Sequence, residues 1–124
     1  MLTPRAVDYL ETIYLLSLSN DTVGVSQVAA ERDVTIPTAR SAVRRLKEGG
    51  FVRQERYGKI MLTEKGRARA ENIYGTHRAL FRFLHDVLGV DEDTADSEAC
   101  KLEHGLSQET KSRLVRFMDE NQVG

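Results

Sequence analysis

The chain has 124 residues, of which 40% are hydrophobic and 30% are charged, and its formal net charge is −1. This length suits one compact domain or two small units, and the composition is that of an ordinary globular protein. No apolar run approaches the roughly 20 residues that span a bilayer, and we expect no signal peptide. The single cysteine, Cys100, excludes an intrachain disulfide and is typical of a reducing compartment, so we expect a cytoplasmic protein.

Charge is distributed unevenly along the chain. The segment 40–69 carries ten Lys and Arg residues against three acidic ones, a net charge of +7, whereas the segment 86–120 has a net charge of −6. A basic segment can bind phosphates and an acidic one can bind cations, although ordinary solvated faces have similar compositions. The pattern therefore indicates two functions in one small chain, one toward nucleic acid and one toward metal ions.

Two helices are predicted in the first 34 residues. Thr3 and Pro4 are typical of a helix start, and apolar residues at helical spacing follow until the polar segment 19–21. A second, short helix is predicted over 25–34 with Ser26 as its N-cap.

A third helix and a hairpin follow. A turn is predicted at 35–37, Thr38 is expected to cap the third helix, and the two glycines at 49–50 are expected to end it. The segments 51–56 and 60–63 then have the pattern of two short strands joined by a turn, which predicts a hairpin with a basic tip.

The second half of the chain is predicted to be helical. A long helix capped by Thr63 runs to Gly89, and an acidic loop at 91–93 leads into another helix. A last helix is expected after Ser107. The apolar stripe predicted for the helix after the acidic loop consists of Ala95, Ala99, Leu102 and Leu106.

The order helix, turn, helix and basic hairpin is that of a winged helix-turn-helix. In that fold the third helix lies in the major groove and the hairpin contacts the DNA backbone. Small or hydroxylated residues at the start of the third helix let its backbone approach the duplex, and long basic side chains reach bases or phosphates. A small helical unit with no ligand is the competing interpretation. The predicted DNA-binding residues are Pro37, Thr38, Ala39, Arg40, Ser41, Arg44, Arg45, Lys47, Arg56 and Lys59.

Metal-binding side chains recur at helical spacing on three predicted helices. Cys100, Glu103 and His104 are three and four residues apart, so one helix face presents a thiolate, a carboxylate and an imidazole. The first helix carries two acidic residues three positions apart, and the long helix carries a histidine within its apolar stripe. Each feature alone is common in solvated or core positions, but together they predict a site for one or two divalent ions. The candidate ligands are Asp8, Glu11, His77, Cys100, Glu103 and His104.

Several short motifs occur in a specific order along nearly the whole chain. They are VDYLETIY at 7–14, LTEKG at 62–66, HR at 77–78, FL at 83–84, LGV at 88–90, ACKLEH at 99–104 and LS at 106–107. Together they resemble the diphtheria toxin repressor family of metal-dependent repressors, which includes manganese transport regulators.

This resemblance implies a mainly α fold with a small β-hairpin, in which a winged helix-turn-helix precedes a helical metal-binding and dimerisation domain. We expect the first domain at 1–66 and the second at 67–124. The resemblance also implies Fe(II) or Mn(II) as corepressor. Many relatives carry a further SH3-like domain, and we expect this chain to be a short form without one.

The resemblance assigns most of the ligands, with informative departures. His77, Glu103 and His104 match ligand positions in both branches of the family. Asp8 corresponds to the aspartate of the manganese branch, where the iron branch has methionine. Cys100 corresponds to the cysteine of the iron branch, where the manganese regulator has glutamate. The resemblance therefore implies a hybrid ligand set.

The hybrid set leaves the choice of metal open. In the iron branch, a second metal site, called the ancillary site, uses a glutamate and a histidine. The resemblance places Phe81 and Asp96 at these two positions, so we expect the ancillary site to be absent. The Cys100 thiolate favours Fe(II), Co(II), Ni(II) or Zn(II), whereas carboxylates favour Mn(II). We expect Fe(II), with Mn(II) as the close alternative and Co(II), Ni(II) or Zn(II) binding in vitro.

These observations predict a homodimeric, metal-dependent repressor that binds a pseudo-palindromic double-stranded DNA operator and controls metal-homeostasis genes. The alternative is a winged-helix regulator that senses an organic ligand or an oxidant through Cys100. An enzyme is not expected, because the chain has no glycine-rich phosphate loop, nucleophile elbow or His-Glu-x-x-His motif. A plain interaction module would leave the basic hairpin unexplained.

Overall fold

A computed structural model describes residues 2–55 and 58–121 of the chain. These residues form six α-helices, one π-helical segment and a two-stranded sheet. The elements are α1 (Pro4–Ser19), α2 (Val25–Arg32), α3 (Ile36–Glu48), β1 (Val52–Gln54), β2 (Ile60–Leu62), α4 (Glu64–Arg82), the π-helical segment Phe83–Val87, α5 (Glu92–Glu103) and α6 (Gln108–Glu120). No described helix combines the length and the apolar character that crossing a membrane requires.

The chain divides into two compact units, Met1–Glu71 and Asn72–Gly124. The first contains α1 to β2 and the start of α4, and the second contains the rest of α4, α5 and α6. The domain boundary expected between residues 66 and 67 stays a prediction, since α4 is continuous through this region.

The start of α1 is as predicted, but α2 and α3 begin differently. The Thr3 hydroxyl accepts a hydrogen bond from the backbone N–H of Ala6 at 3.1 Å. For α2, Ser26 lies inside the helix rather than at its cap. The helix follows Gly24, whose N–H donates to Gln27 Oε1 at 2.7 Å. It ends at Arg32, short of the predicted Val34.

The helix α3 begins two residues before the predicted cap. Its N-cap is Thr35, whose hydroxyl accepts from the N–H of Thr38 at 3.3 Å. Pro37 therefore lies in the first turn rather than before the helix, where its missing N–H costs no helical hydrogen bond. The turn between α2 and α3 comes before the predicted segment 35–37. It begins at Asp33, whose φ of 54° ends α2.

The core of the first unit joins α1, α2 and α3 to the hairpin. The strands pair antiparallel with Val52 opposite Leu62, and Ile60 also donates its N–H to the carbonyl of Val23. The buried apolar side chains are Tyr9, Leu10, Ile13, Tyr14, Val23, Val28, Ala29, Ala39, Val43, Leu46, Val52, Ile60 and Ala70. Packing of α3 against α1 and the hairpin leaves its opposite, basic face toward solvent.

In the second unit, the long helix ends at Gly89 as predicted but changes its geometry before that point, and one prediction about a helix face is wrong. The long helix keeps α-helical geometry only to Arg82, then becomes π-helical over Phe83–Val87 before Gly89, whose φ is 77°. On α5, Leu102 is 41% exposed, although it was expected in the apolar stripe, and Glu103 is only 3% exposed. The buried face of α5 is therefore rotated toward the candidate ligands, with Ala95 and Ala99 as its apolar part.

Candidate functional site

The helix α5 places three candidate ligands on one face. Its N-terminus is capped by Asp91, whose Oδ2 accepts from the N–H of Thr94 at 3.1 Å. Hydrogen bonds from the Thr94 side chain and backbone lower the pKa of Asp91, which stays a charged cap at neutral pH. Two turns later, one ligand atom from each of Cys100, Glu103 and His104 lies within 4.8 Å of the others. The predicted convergence of these three residues is therefore seen.

The Glu103 carboxylate is the buried charge of this cluster. Its side chain is 3% exposed, and neither oxygen accepts a hydrogen bond from any residue that the structure describes. Its Oε2 lies 3.4 Å from Nδ1 of His77, and its Oε1 lies 3.9 Å from Nε2 of His104. An ionised carboxylate removed from water without hydrogen bonds is costly, so this arrangement favours a cation among the three side chains.

The imidazole of His77 lies between two carboxylates. Its Nδ1 faces Glu103, and its Nε2 lies 3.0 Å from Oδ1 of Asp96, within hydrogen-bond distance. The His77 side chain is 17% exposed, whereas that of Asp96 is 69% exposed. Asp96 was not among the candidate ligands, and the sequence left open whether it or Glu98 joins the site. The sequence signal for Asp96 was its place four residues before Cys100, on the same helix face.

The other two candidate ligands lie in the first unit, on α1. Asp8 and Glu11 are both partly buried, next to the buried side chains of Tyr9 and Leu10. An oxygen of the Asp8 carboxylate lies 3.8 Å from the Arg32 guanidinium, which also lies over the Tyr9 ring. Within this unit, Asp8 therefore faces a cation from α2.

The donor set of the second unit fits a divalent transition metal. Imidazole nitrogen, thiolate sulfur and carboxylate oxygen all bind Fe(II), Co(II), Ni(II) and Zn(II), and Mn(II) prefers the oxygen and nitrogen donors. The buried carboxylate of Glu103 is the observation that requires a positive partner. Binding needs the Cys100 thiol deprotonated, so affinity falls as pH is lowered.

The outward face of α3 carries the predicted DNA-binding side chains. Pro37, Arg40, Arg44, Arg45 and Lys47 are exposed, and Thr38 and Ser41 are partly exposed. Ala39 is the exception, because it is fully buried and packs in the core of the unit. Its side chain does not face solvent, so the prediction that it contacts DNA is corrected.

A cavity of about 450 Å³ adjoins the start of α3. Arg5 of α1 and Arg45 of α3 both line it, and the sequence prediction did not include Arg5 because the two residues are 40 positions apart. The lining residues are Thr3, Arg5, Ala6, Tyr9, Pro37, Thr38, Ser41, Ala42 and Arg45.

The hairpin adds one described basic residue to the candidate interface. Lys59 is exposed beside β2, whereas Arg56 lies outside the described residues. Lys65, which contributes to the basic segment, donates instead to the carbonyl of Gly49 at 2.9 Å and lies over the Phe51 ring. Part of the positive charge therefore holds the connection between α3 and β1 to the start of α4 rather than facing a ligand.

Both units of the chain match known protein families. Residues 1–60 match the N-terminal DNA-binding domain of iron-dependent repressors, and residues 63–123 match their metal-binding and dimerisation domain. The chain belongs to the iron-dependent repressor family.

Individual members of this family are similar over most of the chain. An uncharacterized HTH-type transcriptional regulator of Methanocaldococcus jannaschii is 40% identical over 114 residues, which is 91% of either protein. The iron-dependent repressor IdeR of Mycobacterium tuberculosis is 35% identical over 111 residues, 90% of this chain and 48% of IdeR. The structure of the manganese regulator SloR matches with a TM-score of 0.81 and 31% identity, covering 95% of this chain and 55% of SloR. The chain thus spans about half the length of the latter two.

Membership of the iron-dependent repressor family confirms the predicted fold class. It also confirms the prediction of a metal-dependent, DNA-binding repressor, with Fe(II) or Mn(II) as cofactor and with duplex DNA and a second copy of the chain as partners. The alternative of an organic-ligand or oxidant sensor is not favoured by these relatives.

Proposed function

We propose that this family member represses metal-homeostasis genes when Fe(II) or Mn(II) is abundant, by binding a pseudo-palindromic operator as a homodimer. The observation that carries the metal part is the buried Glu103 carboxylate, which lies close to two imidazoles and to the Cys100 thiol and accepts no hydrogen bond from the described residues. Burying such a charged group is costly, and a bound cation would offset that cost. We place the protein in the cytoplasm, where its operator is, and expect no catalytic activity.

We propose six ligands for one or two ions. Support for His77, Cys100, Glu103 and His104 comes from their proximity in the second unit. Support for Asp8 and Glu11 comes from their residue type and their spacing on α1, and for Asp8 also from the family resemblance. The proposed ligands are Asp8, Glu11, His77, Cys100, Glu103 and His104.

We propose that α3 is the recognition helix. Its exposed basic face supports contacts to bases and phosphates, and the hydroxylated first turn supports a close approach of its backbone. The proposed DNA-binding residues are Pro37, Thr38, Arg40, Ser41, Arg44, Arg45, Lys47, Arg56 and Lys59.

The bound ion supplies positive charge to side chains that otherwise repel one another. Asp8 and Glu11 are carried by α1, and α1 packs against α2 and α3 of the DNA-binding unit. A change in the electrostatic environment of these two carboxylates therefore acts on the helix that supports the recognition helix. If the metal ion binds the DNA-binding state about 100-fold more tightly than the other state, the free energy that couples metal binding to DNA binding is roughly 2.7 kcal/mol.

The test is operator binding with defined metals under anaerobic conditions. An operator is selected from random duplexes with Mn(II) or Fe(II) present, and its affinity is then measured in metal-free buffer and with Fe(II), Mn(II), Co(II) and Zn(II) separately. We expect tight binding only with metal, and we expect His104→Ala to lose the response.

Glu98→Ala is the matched control, because it removes an exposed charge from the same helix. If folded, dimeric His104→Ala protein responds to metal as wild type does, the proposed metal site is wrong. Equal affinity with and without every metal would reject metal dependence itself.

A further inference from the structure

His77 is held from both sides by acidic residues of α5. Its Nε2 lies 3.0 Å from the Asp96 carboxylate, and its Nδ1 lies 3.4 Å from the Glu103 carboxylate. The two contacts differ in kind. The first has the geometry of a hydrogen bond, whereas Glu103 accepts none from the residues that the structure describes.

This asymmetry determines which nitrogen carries hydrogen in the neutral imidazole. A carboxylate can only accept, so the group at 3.0 Å from Asp96 is an Nε2–H that donates to Oδ1. The lone pair then lies on Nδ1, on the side of the buried Glu103 carboxylate. A lone pair and a carboxylate that face each other form a pair of donors for a cation.

We propose that Asp96 is a positioning residue, which fixes the tautomer and the ring orientation of His77 so that Nδ1 is the metal-binding atom. This inference rests on the proposed metal-binding function. A carboxylate that accepts the second N–H of a ligating histidine also raises the basicity of the ligand, and losing such a partner lowers metal affinity about 10- to 100-fold. Asp96 would thus act on the metal site through His77, although the resemblance implied only that it replaces a histidine ligand of the iron branch.

The geometry favours this function over direct ligation by Asp96. A metal site at the Nε2 side of His77 would need further donors there, but the Asp96 carboxylate belongs to no group of three donor atoms among the described residues. The Nε2 side therefore offers a hydrogen-bond acceptor, while the Nδ1 side offers Glu103.

A double-mutant cycle on metal affinity tests the proposal. Mn(II) and Co(II) affinities are measured by calorimetry for wild type, Asp96→Ala, His77→Ala and the double variant. We expect Asp96→Ala to bind both metals about 10- to 100-fold more weakly than wild type. The double variant should lose no more than His77→Ala alone, because Asp96 acts only through His77.

Two controls separate this effect from folding and from general charge. The Asp96 side chain is 69% exposed, so Asp96→Ala should leave thermal unfolding of the metal-free protein unchanged. Glu98→Ala removes an equally charged, exposed group from the same helix and should leave metal affinity near that of wild type. If Asp96→Ala and Glu98→Ala lost metal affinity equally, the cause would be a general charge effect and the proposal would be overturned.

Nitrogen-15 spectra of the imidazoles give a readout that does not depend on DNA binding. In the Zn(II)-loaded protein we expect His77 to show a protonated Nε2 and a metal-coordinated Nδ1. Coordination of the metal through Nε2 would reject the proposed tautomer, and a loss of metal affinity in Asp96→Ala that persists in the His77→Ala background would indicate that Asp96 is itself a ligand; either result overturns the proposal.

The same measurements distinguish a failure of the proposed metal site from a failure of the positioning function of Asp96. If His77→Ala binds metal like wild type, the proposed metal site itself fails. If His77→Ala loses affinity while Asp96→Ala does not, only the positioning function of Asp96 fails.

Discussion

Cys100 is the proposed ligand whose donor atom differs most in softness from the others. Its sulfur lies within 4.8 Å of donor atoms of Glu103 and His104, so it is placed to bind the same ion. A thiolate forms stronger bonds to softer divalent ions, whereas the carboxylate and imidazole beside it bind most divalent metals. We therefore expect the choice between Fe(II) and Mn(II) to depend largely on this one side chain.

Replacing this sulfur with a hard donor should change the order of metal affinities. In Cys100→Glu we expect Mn(II) affinity to hold or rise while Co(II) and Zn(II) affinities fall, since a carboxylate replaces a thiolate. Competition titrations with a fluorescent chelator measure each constant, and Cys100→Ala, which offers no donor, should weaken all three. A Cys100→Glu protein that ranks the metals as wild type does would show that Cys100 is not a ligand.

The helix α3 illustrates how one element serves both packing and recognition. Val43 and Leu46 are buried while Arg44, Arg45 and Lys47 are exposed, so the helix is divided between an apolar and a basic face. The N-cap hydrogen bond to Thr35 begins the helix early enough to place Pro37 and Thr38 within its first turn. The end that faces DNA in a helix-turn-helix is thus formed by small and hydroxylated residues.

Arginine substitutions on α3 test its assignment as the recognition helix. Arg40→Ala and Arg44→Ala should weaken operator binding without unfolding, because both side chains are exposed. A lost base contact should cost about 1–3 kcal/mol and relax specificity at one base pair. Arg113→Ala, on exposed α6, is the control and should bind normally. Wild-type operator affinity in both α3 variants would contradict the assignment.

Two glycines of α4 provide a matched test of helix packing. A Cβ at Gly66 would lie 1.8 Å from the carbonyl oxygen of Phe51, where the helix crosses the strand entry, whereas nothing lies within 4 Å of one at Gly75. Gly66→Ala should therefore destabilise the protein by about 1–3 kcal/mol or more, since backbone must move. Gly75→Ala should stabilise it by about 0.5–1 kcal/mol through helix propensity. Urea unfolding of the metal-free protein measures both, and equal effects would contradict this packing.

At the scale of the whole molecule, each unit exposes four large apolar side chains among the described residues, and those of the second unit lie in the part of the chain that matches a dimerisation domain. Val87 is 44% exposed, Leu88 58%, Leu102 41% and Phe117 47%. Large apolar side chains clustered in one small unit are typical of an interface. The match of residues 63–123 to a dimerisation domain gives these residues a partner, a second copy of the chain.

We expect sedimentation to show a dimer at micromolar concentration. Leu88→Asp and Phe117→Asp should shift it toward monomer, because a charge placed in an apolar interface is desolvated without a partner. Ser112→Asp, an exposed polar position on α6, should stay dimeric. A wild-type protein that is monomeric at this concentration with and without metal would contradict the dimer.

The sequence by itself determined most of what is local. Capping residues such as Thr3, the glycines after α3 and the strand pattern of the hairpin predict structure because their effects act within a few residues. The spacing of Cys100, Glu103 and His104 likewise placed three donors on one face, since helical periodicity alone decides that. With the ordered motifs, these features were enough for the family and for a divalent metal ion as corepressor, although not for the choice between Fe(II) and Mn(II).

Only the tertiary structure decided which of these faces is buried and which side chains meet. The pattern of α5 predicted Leu102 inside, yet Glu103 is buried there instead, because the face that packs is chosen by residues distant in sequence. The contact of Asp96 with His77, 19 residues apart, follows from how α4 and α5 pack, and no periodicity within either helix encodes that distance.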